Sequence, residues 1–413
     1  MRVLVVNAGS SSLKLTLLGS RSEQPSGEHD GGFETVASRE LDAPEAEVDR
    51  AELQDALRSQ LGEADVVGHR IVHGGQRHRE AVVLDERVLD ELHALTELAP
   101  LHQPKSLDAL AAVSEALPSL PAVACFDTAF HATLTPGART YALPAAWRER
   151  WGLVRYGFHG LSHGWVARRV PQLLPGRQPL RIVSCHLGAG ASLCAIRDGR
   201  SLDTTMGFTP LEGLVMATRS GSVDPGLLLW LLTRSRTPQG AQAGEHENMS
   251  ADELAATLEH RSGLLGLAGS ADMREVLERA AGGHADAQLA LDTYLHRLRA
   301  GIAAMSAALE GLDVLVFTGG VGERSAEIRA RAAAGLEFLG VALDPDRNRA
   351  AHPGVHGERG APGERGAPGE SGAPGESADV AIGAEHARSL AFVIAAREDL
   401  EIALQVRAAL SRR

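Results

Sequence analysis

Apolar and polar residues alternate along Leu13-Lys14-Leu15-Thr16-Leu17, and an apolar run, Val3–Val6, precedes them across a stretch of small turn-formers. This pattern predicts a strand, a glycine–serine turn and a second strand. The same grammar returns where Leu180–Cys185 passes through residues 186–192 into Leu193–Ile196. A further apolar run, Val314–Phe317, leads into Thr318-Gly319-Gly320-Val321-Gly322-Glu323. Two such units about 180 residues apart suggest an internal duplication in which each half supplies one wall of a cleft. Between them, Val88, Leu89, Leu92, Leu95 and Leu98 recur at helical spacing and predict a helix over Glu86–Leu98, before Pro100. Lys105–Leu117 and Ala285–Leu309 read as helices, Ala122–Phe126 as a buried strand, and Ser250-x-x-Glu253 as a capping box. Leu390–Ala395 reads as a strand and Glu398–Leu410 as a terminal helix. Strands alternating with helices over most of the length predict an α/β architecture.

One tract breaks the pattern. From Gly357 to Gly375 glycine occupies every third position, with the composition of collagen triplets. Seven triplets are too few for an independent triple helix, which would also require three chains and leave no room for the flanking α/β pattern, so Pro353–Ser377 is expected to be a disordered surface insertion without chemistry. The 413-residue length predicts two substantial domains. A net charge of −12 with no long basic run removes the electrostatic footing for nucleic acid. Cys125, Cys185 and Cys194 lack metal-ligand spacing and are expected to be buried free thiols in a reducing compartment. The N-terminus has no signal-peptide core and no apolar run reaches a membrane span, which points to a cytoplasmic protein without a membrane partner. Only Lys14 and Lys105 are lysines against 39 arginines, so arginine count alone carries no functional weight.

Candidate chemistry lies in the turns. Asn7-Ala8-Gly9-Ser10-Ser11-Ser12-Leu13-Lys14 offers close backbone approach, the Ser10 and Ser12 hydroxyls and one cation, the composition of a phosphate clasp. It is not a P-loop, because a strand pattern follows where that motif must open a helix. Arg70, in Gly68-His69-Arg70-Ile71-Val72-His73-Gly74-Gly75, presents a planar fork suited to carboxylate or phosphoryl oxygens. Asp127 follows a buried strand at its C-terminal end, where open α/β sheets place ligands. His102, His159 and Arg219 occupy short loops flanked by glycine or proline. No H-E-x-x-H or dinucleotide fingerprint is present, which sets aside zinc hydrolysis and nicotinamide chemistry.

Taken together, N-A-G-S-S-S-L-K, H-R-I-V-H-G-G, A-P-L-H-Q-P, F-D-T-A-F-H, Y-G-F-H-G, H-L-G-A-G-A-S, M-G-F-T-P-L-E-G-L, T-R-S-G and F-T-G-G-V-G-E resemble, in order, the acetate kinase family. The resemblance implies two duplicated actin-like ATPase domains around a nucleotide cleft, with residues 1–150 plus 386–413 forming the first and 151–385 the second. It implies reversible phosphoryl transfer from ATP to acetate, giving acetyl phosphate and ADP, with Mg²⁺ or Mn²⁺ as cofactor, in a homodimer. By the same resemblance Arg70, Arg219 and His159 meet the acetate and the migrating phosphoryl group, Val72 and Phe158 shape the acyl pocket, and Asp127 is the acid/base or metal-organising carboxylate. Asn7 and Glu398, with Glu385 as competitor, are similar to the magnesium residues. Lys14, the clasp serines, His186-Leu187-Gly188-Ala189-Gly190, Asp272-Met273-Arg274 and Gly320-Val321-Gly322-Glu323-Arg324 are similar to the nucleotide contacts. The chain departs from the family pattern at Ala189 and Arg324, where asparagine is usual, and at Ser222, where aspartate is usual. Two alternatives stand beside this reading: a propionate or other short-chain acyl kinase, and a non-catalytic actin-like nucleotide-binding protein.

Overall fold

The computed structural model describes residues 1–9, 12–20, 32–42, 49–99, 103–177, 179–233, 249–351 and 379–412. His102, Ser10 and the collagen-like tract lie outside them. The first sheet contains β1 (Arg2–Ala8), β2 (Ser12–Ser20), β3 (Phe33–Asp42), β4 (Val66–Ile71), β5 (Val82–Val83) and β6 (Ala122–Phe126). The second contains β7 (Arg181–Leu187), β8 (Ala191–Arg197), β9 (Arg200–Thr204), β10 (Val314–Thr318), β11 (Val380–Ala381) and β12 (Leu390–Val393). Their orders, β3-β2-β1-β4-β6-β5 and β9-β8-β7-β10-β12-β11, are the same topology twice. In each sheet two antiparallel hairpin pairings open the unit, two parallel pairings follow, and a two-residue antiparallel strand closes the edge. The duplication expected from the repeated strand–turn–strand grammar is therefore present in the sheet order.

Both faces of each sheet are covered, which is why central strands read as continuous apolar runs rather than alternating ones. Leu4 and Val6 pack with Leu53 and Val113 of the outer helices Arg50–Arg58 and Gln103–Ala116. Val3 and Val5 pack on the opposite face with Ile402 and Val406 of helix Glu398–Ser411 and Val166 and Val170 of helix Gly160–Leu173. Ile182, Ile196, Val314 and Val316 of the second sheet join that same cluster. The two inner helices are thus sandwiched between the sheets. Leu315, Phe317, Cys185 and Leu193 face the other way, onto the long helix Ala285–Ala308. Full burial of each Val or Leu contributes about 1.5–3 kcal/mol, so this layered core fixes how the sheet ends meet.

Local expectations held with small shifts. Ser250 caps helix Ala251–His260 by accepting from the Glu253 amide, and Cys125, Cys185 and Cys194 are buried and free. The helix expected over Glu86–Leu98 is an α-helix only to Ala94; Leu95–Leu98 tightens into 3-10 geometry before Pro100, as helix ends commonly do. The domain boundary expected at 386 falls inside the second sheet, because β12 pairs in parallel with β10; the chain returns to the first sheet only with helix Glu398–Ser411. None of the described helices is long and apolar enough to cross a membrane.

Candidate active site

Register places the first wall. Strands β1, β4 and β6 are parallel neighbours, with Val6 opposite His69 and Arg70 opposite Cys125, so Asn7, Arg70 and Asp127 emerge side by side at their C-terminal ends. Arg70 Nε and Nη2 donate to Asp127 Oδ2 at 3.1 and 2.7 Å, and Nη1 donates to Asn7 Oδ1 at 3.0 Å. Asn7 Nδ2 in turn donates to Glu398 Oε2 at 2.9 Å. Glu398, the first residue of the terminal helix, is therefore tied to the cleft, whereas Glu385 is 89% exposed and ion-paired with Arg347.

The second wall carries imidazoles and glycine turns. His159 caps helix Gly160–Leu173 in a left-handed conformation, φ 57°, and its ring lies 4.3 Å from that of His186 at the end of β7. A Cβ on Gly190 would sit 3.2 Å from His159 Nε2 and 3.6 Å from Arg219 Nη1, so the imidazole and guanidinium converge on one glycine. Arg219 is held by Glu259 at 3.3 Å and by the Pro210 carbonyl at 3.1 Å. Arg70, Val72, His159, His186, Gly188, Ala189, Gly190, Arg219, Asp272, Met273, Arg274, Gly320, Val321, Arg324 and Glu398 line one cavity of about 1160 Å³. Leu187 and Phe158 are buried behind its wall. Gly322 is buried at the base of the turn, and Glu323 braces it by accepting from the Gly319 and Ala396 amides. Ser12 is engaged by Glu40 and Lys14 is exposed on β2; both stand outside the cavity lining.

Burial and charge divide the carboxylates. Burial raises the Asp127 pKa, and the Glu398 charge adds to that against the pull of Arg70. Burial also opposes Glu398 ionisation, but Arg70, His186 and the Asn7 hydrogen bond outweigh it and hold its pKa below the usual carboxylate range. Burial lowers Arg70, yet Asp127 and Glu398 more than compensate and keep it charged. His159 is held well below 6.5 by burial and by the charges of His186 and Arg70. It is a neutral imidazole at physiological pH.

Asp127 Oδ1 is buried with no hydrogen-bond partner among the described residues, while Oδ2 is occupied by Arg70. With Asn7 Oδ1 and the Glu398 carboxylate it forms a set of hard oxygen donors, which fits a magnesium ion that keeps several waters and shares substrate phosphates. No three His, Cys, Asp or Glu side chains among the described residues form a metal cage of their own.

The Acetokinase family pattern matches residues 2–359. The chain belongs to the acetokinase family. It is 43% identical to the acetate kinase of a Nostoc species over 84% of this chain and 91% of that one, and 46% identical to the Leifsonia xyli acetate kinase over 86% and 91%. Among solved structures it superposes on Porphyromonas gingivalis acetate kinase with TM-score 0.78, 30% identity and 99% coverage of both chains. A propionate kinase from Francisella tularensis gives 0.79, 31% and 98% of both. These matches establish the actin-like ATPase fold and a phosphotransferase enzyme. The departures from the family pattern are accommodated differently: Ser222 closes its loop by accepting from the Gly213 amide, Ala189 accepts from the Ala217 amide, and Arg324 lines the cavity.

Several cavity residues carry no assignment from the sequence, among them Glu259, Tyr294 and Lys105. Glu259, the counter-charge of Arg219, and Tyr294 sit in ordinary helical patterns with no local signal. Lys105 carried one: a lysine in the first turn of helix Gln103–Ala116 opposes the helix dipole, in a chain that otherwise prefers arginine.

Proposed function

We propose that this chain is a cytoplasmic, Mg²⁺-dependent ATP:acetate phosphotransferase that forms acetyl phosphate and ADP reversibly. The observation that carries the reading is the meeting of Arg70, Arg219 and His159 on one cavity that also contains the glycine turns at 188–190 and 320. A carboxylate with a pKa of about 4–5 is ionised at neutral pH and needs no general base. The obstacle is repulsion between an anionic nucleophile and an anionic triphosphate, so the catalytic task is positioning and positive charge. Arg70 orients the acyl carboxylate, Arg219 faces the phosphoryl oxygens from the opposite wall, and His159 directs Nε2 at the same oxygens. Gly188, Gly190 and Gly320 let backbone amides approach the phosphates. Asn7, Asp127 and Glu398 would hold the magnesium ion, which when bound neutralises phosphate charge; Asp127 serves as an organiser of metal and water rather than as a proton acceptor.

Val72 lines the acyl side of the cavity, and one methylene is worth only about 1–3 kcal/mol of discrimination, so propionate is expected as a slower substrate. Trapping acyl phosphate with hydroxylamine, using ATP, Mg²⁺ and acetate, propionate or butyrate, tests this. Acetyl hydroxamate in excess supports the assignment; propionyl hydroxamate in excess makes the chain a propionate kinase; no hydroxamate from a chain that binds ATP leaves a binding-only protein. We also infer a homodimer: helix Pro225–Thr233, PGLLLWLLT, buries none of its residues and leaves Leu229 64% and Trp230 50% exposed. Light scattering should give twice the chain mass, and Leu229→Glu should halve it. We propose residues 1–150 plus the returning helix Glu398–Ser411 as the first domain and the remainder as the second, in place of the expected return at residue 386.

A further inference from the structure

We propose that Ser184, His163 and Ser192 form a directional hydrogen-bond relay that fixes His159 as the Nε2–H tautomer, so that a neutral imidazole presents a donor to the transferring phosphoryl group. The proposal rests on the kinase reading above and adds positioning residues to it.

The relay follows from how the inner helix crosses the second sheet. His159 and His163 are four residues apart at the start of helix Gly160–Leu173 and share one face. That face meets the side of β7 and β8 that carries Ser184 and Ser192, the same side as Ile182 and Ile196. Ser184 Oγ lies 2.9 Å from His163 Nδ1, His163 Nε2 lies 2.8 Å from Ser192 Oγ, and Ser192 Oγ lies 3.0 Å from His159 Nδ1. His163, Ser184 and Ser192 are completely buried.

The direction is set at the closed end. Among the described residues His163 is the only hydrogen-bond partner of the Ser184 hydroxyl. If Ser184 accepted from His163, its own O–H would be stranded in a site without water, at a cost of about 1–3 kcal/mol. Ser184 therefore donates to Nδ1 of His163. A neutral imidazole has one N–H, so His163 carries its proton on Nε2 and donates it to Ser192. Ser192 has one proton left to give and donates to Nδ1 of His159. The last ring must then carry its hydrogen on Nε2, the atom beside Gly190 and Arg219. His186 obeys the same rule in one step: its Nδ1 is 2.8 Å from Ser162 Oγ, which is buried and has no other partner among the described residues. Burial keeps His163 neutral, which the relay requires.

Reversal of the relay would turn a bare Nε2 lone pair toward phosphoryl oxygens, replacing attraction by repulsion at the point where negative charge must be stabilised. The role is thus one of orientation, and His163, Ser184 and Ser192 touch no substrate.

The test uses the full chain labelled with ¹⁵N-histidine, whose ring-nitrogen shifts distinguish protonated from bare nitrogen, with signals assigned by His159→Gln and His163→Gln. The expected result is Nε2–H for both His159 and His163 at pH 7.5. Ser192→Ala should shift His159 toward the Nδ1–H form and lower kcat about tenfold or more, below the roughly 10²–10³-fold cost of losing a donor outright, with KM for acetate within about twofold. Ser184→Ala, farther from substrate, should give a smaller loss in the same direction, and the double variant should match Ser192→Ala alone rather than add. If Ser192→Ala does not fold, the wild-type spectrum and Ser184→Ala still decide. An Nδ1–H signal for wild-type His159, or additive losses with an unchanged tautomer, overturns the relay. Failure of the kinase reading would appear separately, as absence of acyl phosphate from the wild-type chain whatever its spectrum.

Discussion

Arg70→Lys separates charge from geometry at the centre of the site. Lysine keeps a cation beside Asp127 but replaces a fork that makes three bonds, to Asp127 at 3.1 and 2.7 Å and to Asn7 at 3.0 Å, with a single ammonium. An ammonium that stays with Asp127 cannot also hold Asn7 and orient the acyl carboxylate. If catalysis depends on a positioned donor, kcat/KM should fall about 10²- to 10³-fold, or about 2.7–4 kcal/mol of transition-state stabilisation. Stability should change little, because Asp127 remains paired. Arg70→Ala is the contrasting variant: it leaves a buried carboxylate without its partner, a loss of about 3–5 kcal/mol, and should lower the thermal midpoint as well as the rate. The assay is hydroxamate formation at saturating ATP and Mg²⁺ over a range of acetate, with unfolding followed in parallel. Retention of kcat/KM within about threefold by Arg70→Lys would refute the geometric role, leaving charge alone as sufficient.

Asp127→Asn should lower kcat and raise the Mg²⁺ concentration needed for half-maximal rate; near-normal turnover at saturating Mg²⁺ contradicts its organising role. Gly190→Ala introduces a methyl 3.2 Å from His159 Nε2 and 3.6 Å from Arg219 Nη1, so kcat should drop by up to about 10²-fold from sub-ångström displacement. Because Gly190 has no positive φ, its unfolding midpoint should hold or rise slightly, and a parallel loss of rate and stability would point to general disruption instead. Stability should fall as pH drops below 6.5. Burial pushes His69 down to about 3 and His73 and His131 down to about 4, so the unfolded chain takes up protons first. Each such histidine removes up to about 1.4 kcal/mol per pH unit between 6.5 and its folded value. Urea midpoints that stay constant from pH 7.5 to 5.5 contradict that assignment of buried neutral rings.

How much of this was legible in the sequence depends on whether a residue's role is local. Strand ends and glycine turns are local, so Asn7, Arg70, Asp127 and His186 could be named from their position after an apolar run, and parallel register then brings the first three together. Glu398 was less secure because no element joins it to Asn7 along the chain; only the packing of the terminal helix closes a separation of 391 residues. Ser184 and Ser192 were illegible for a related reason. In a strand, a serine among apolar neighbours reads as a small core residue, and its hydrogen-bond partner is chosen by which helix crosses that face. Glu259 likewise acquires its meaning only when its helix comes beside Arg219.

The same reasoning explains why Ser12 and Lys14 looked more promising than their placement supports. A hairpin turn with hydroxyls and a cation satisfies the composition of a phosphate clasp, but period-two alternation decides which side each residue faces, and the third strand decides what it meets there. Ser12 lies opposite Asp42 and Lys14 opposite Glu40 in the β2–β3 register, and Glu40 takes the Ser12 hydroxyl. Lys105 is the converse case: it lines the cavity from a helix start where a cation is locally unfavourable, a cost that an anionic ligand in the cleft would offset.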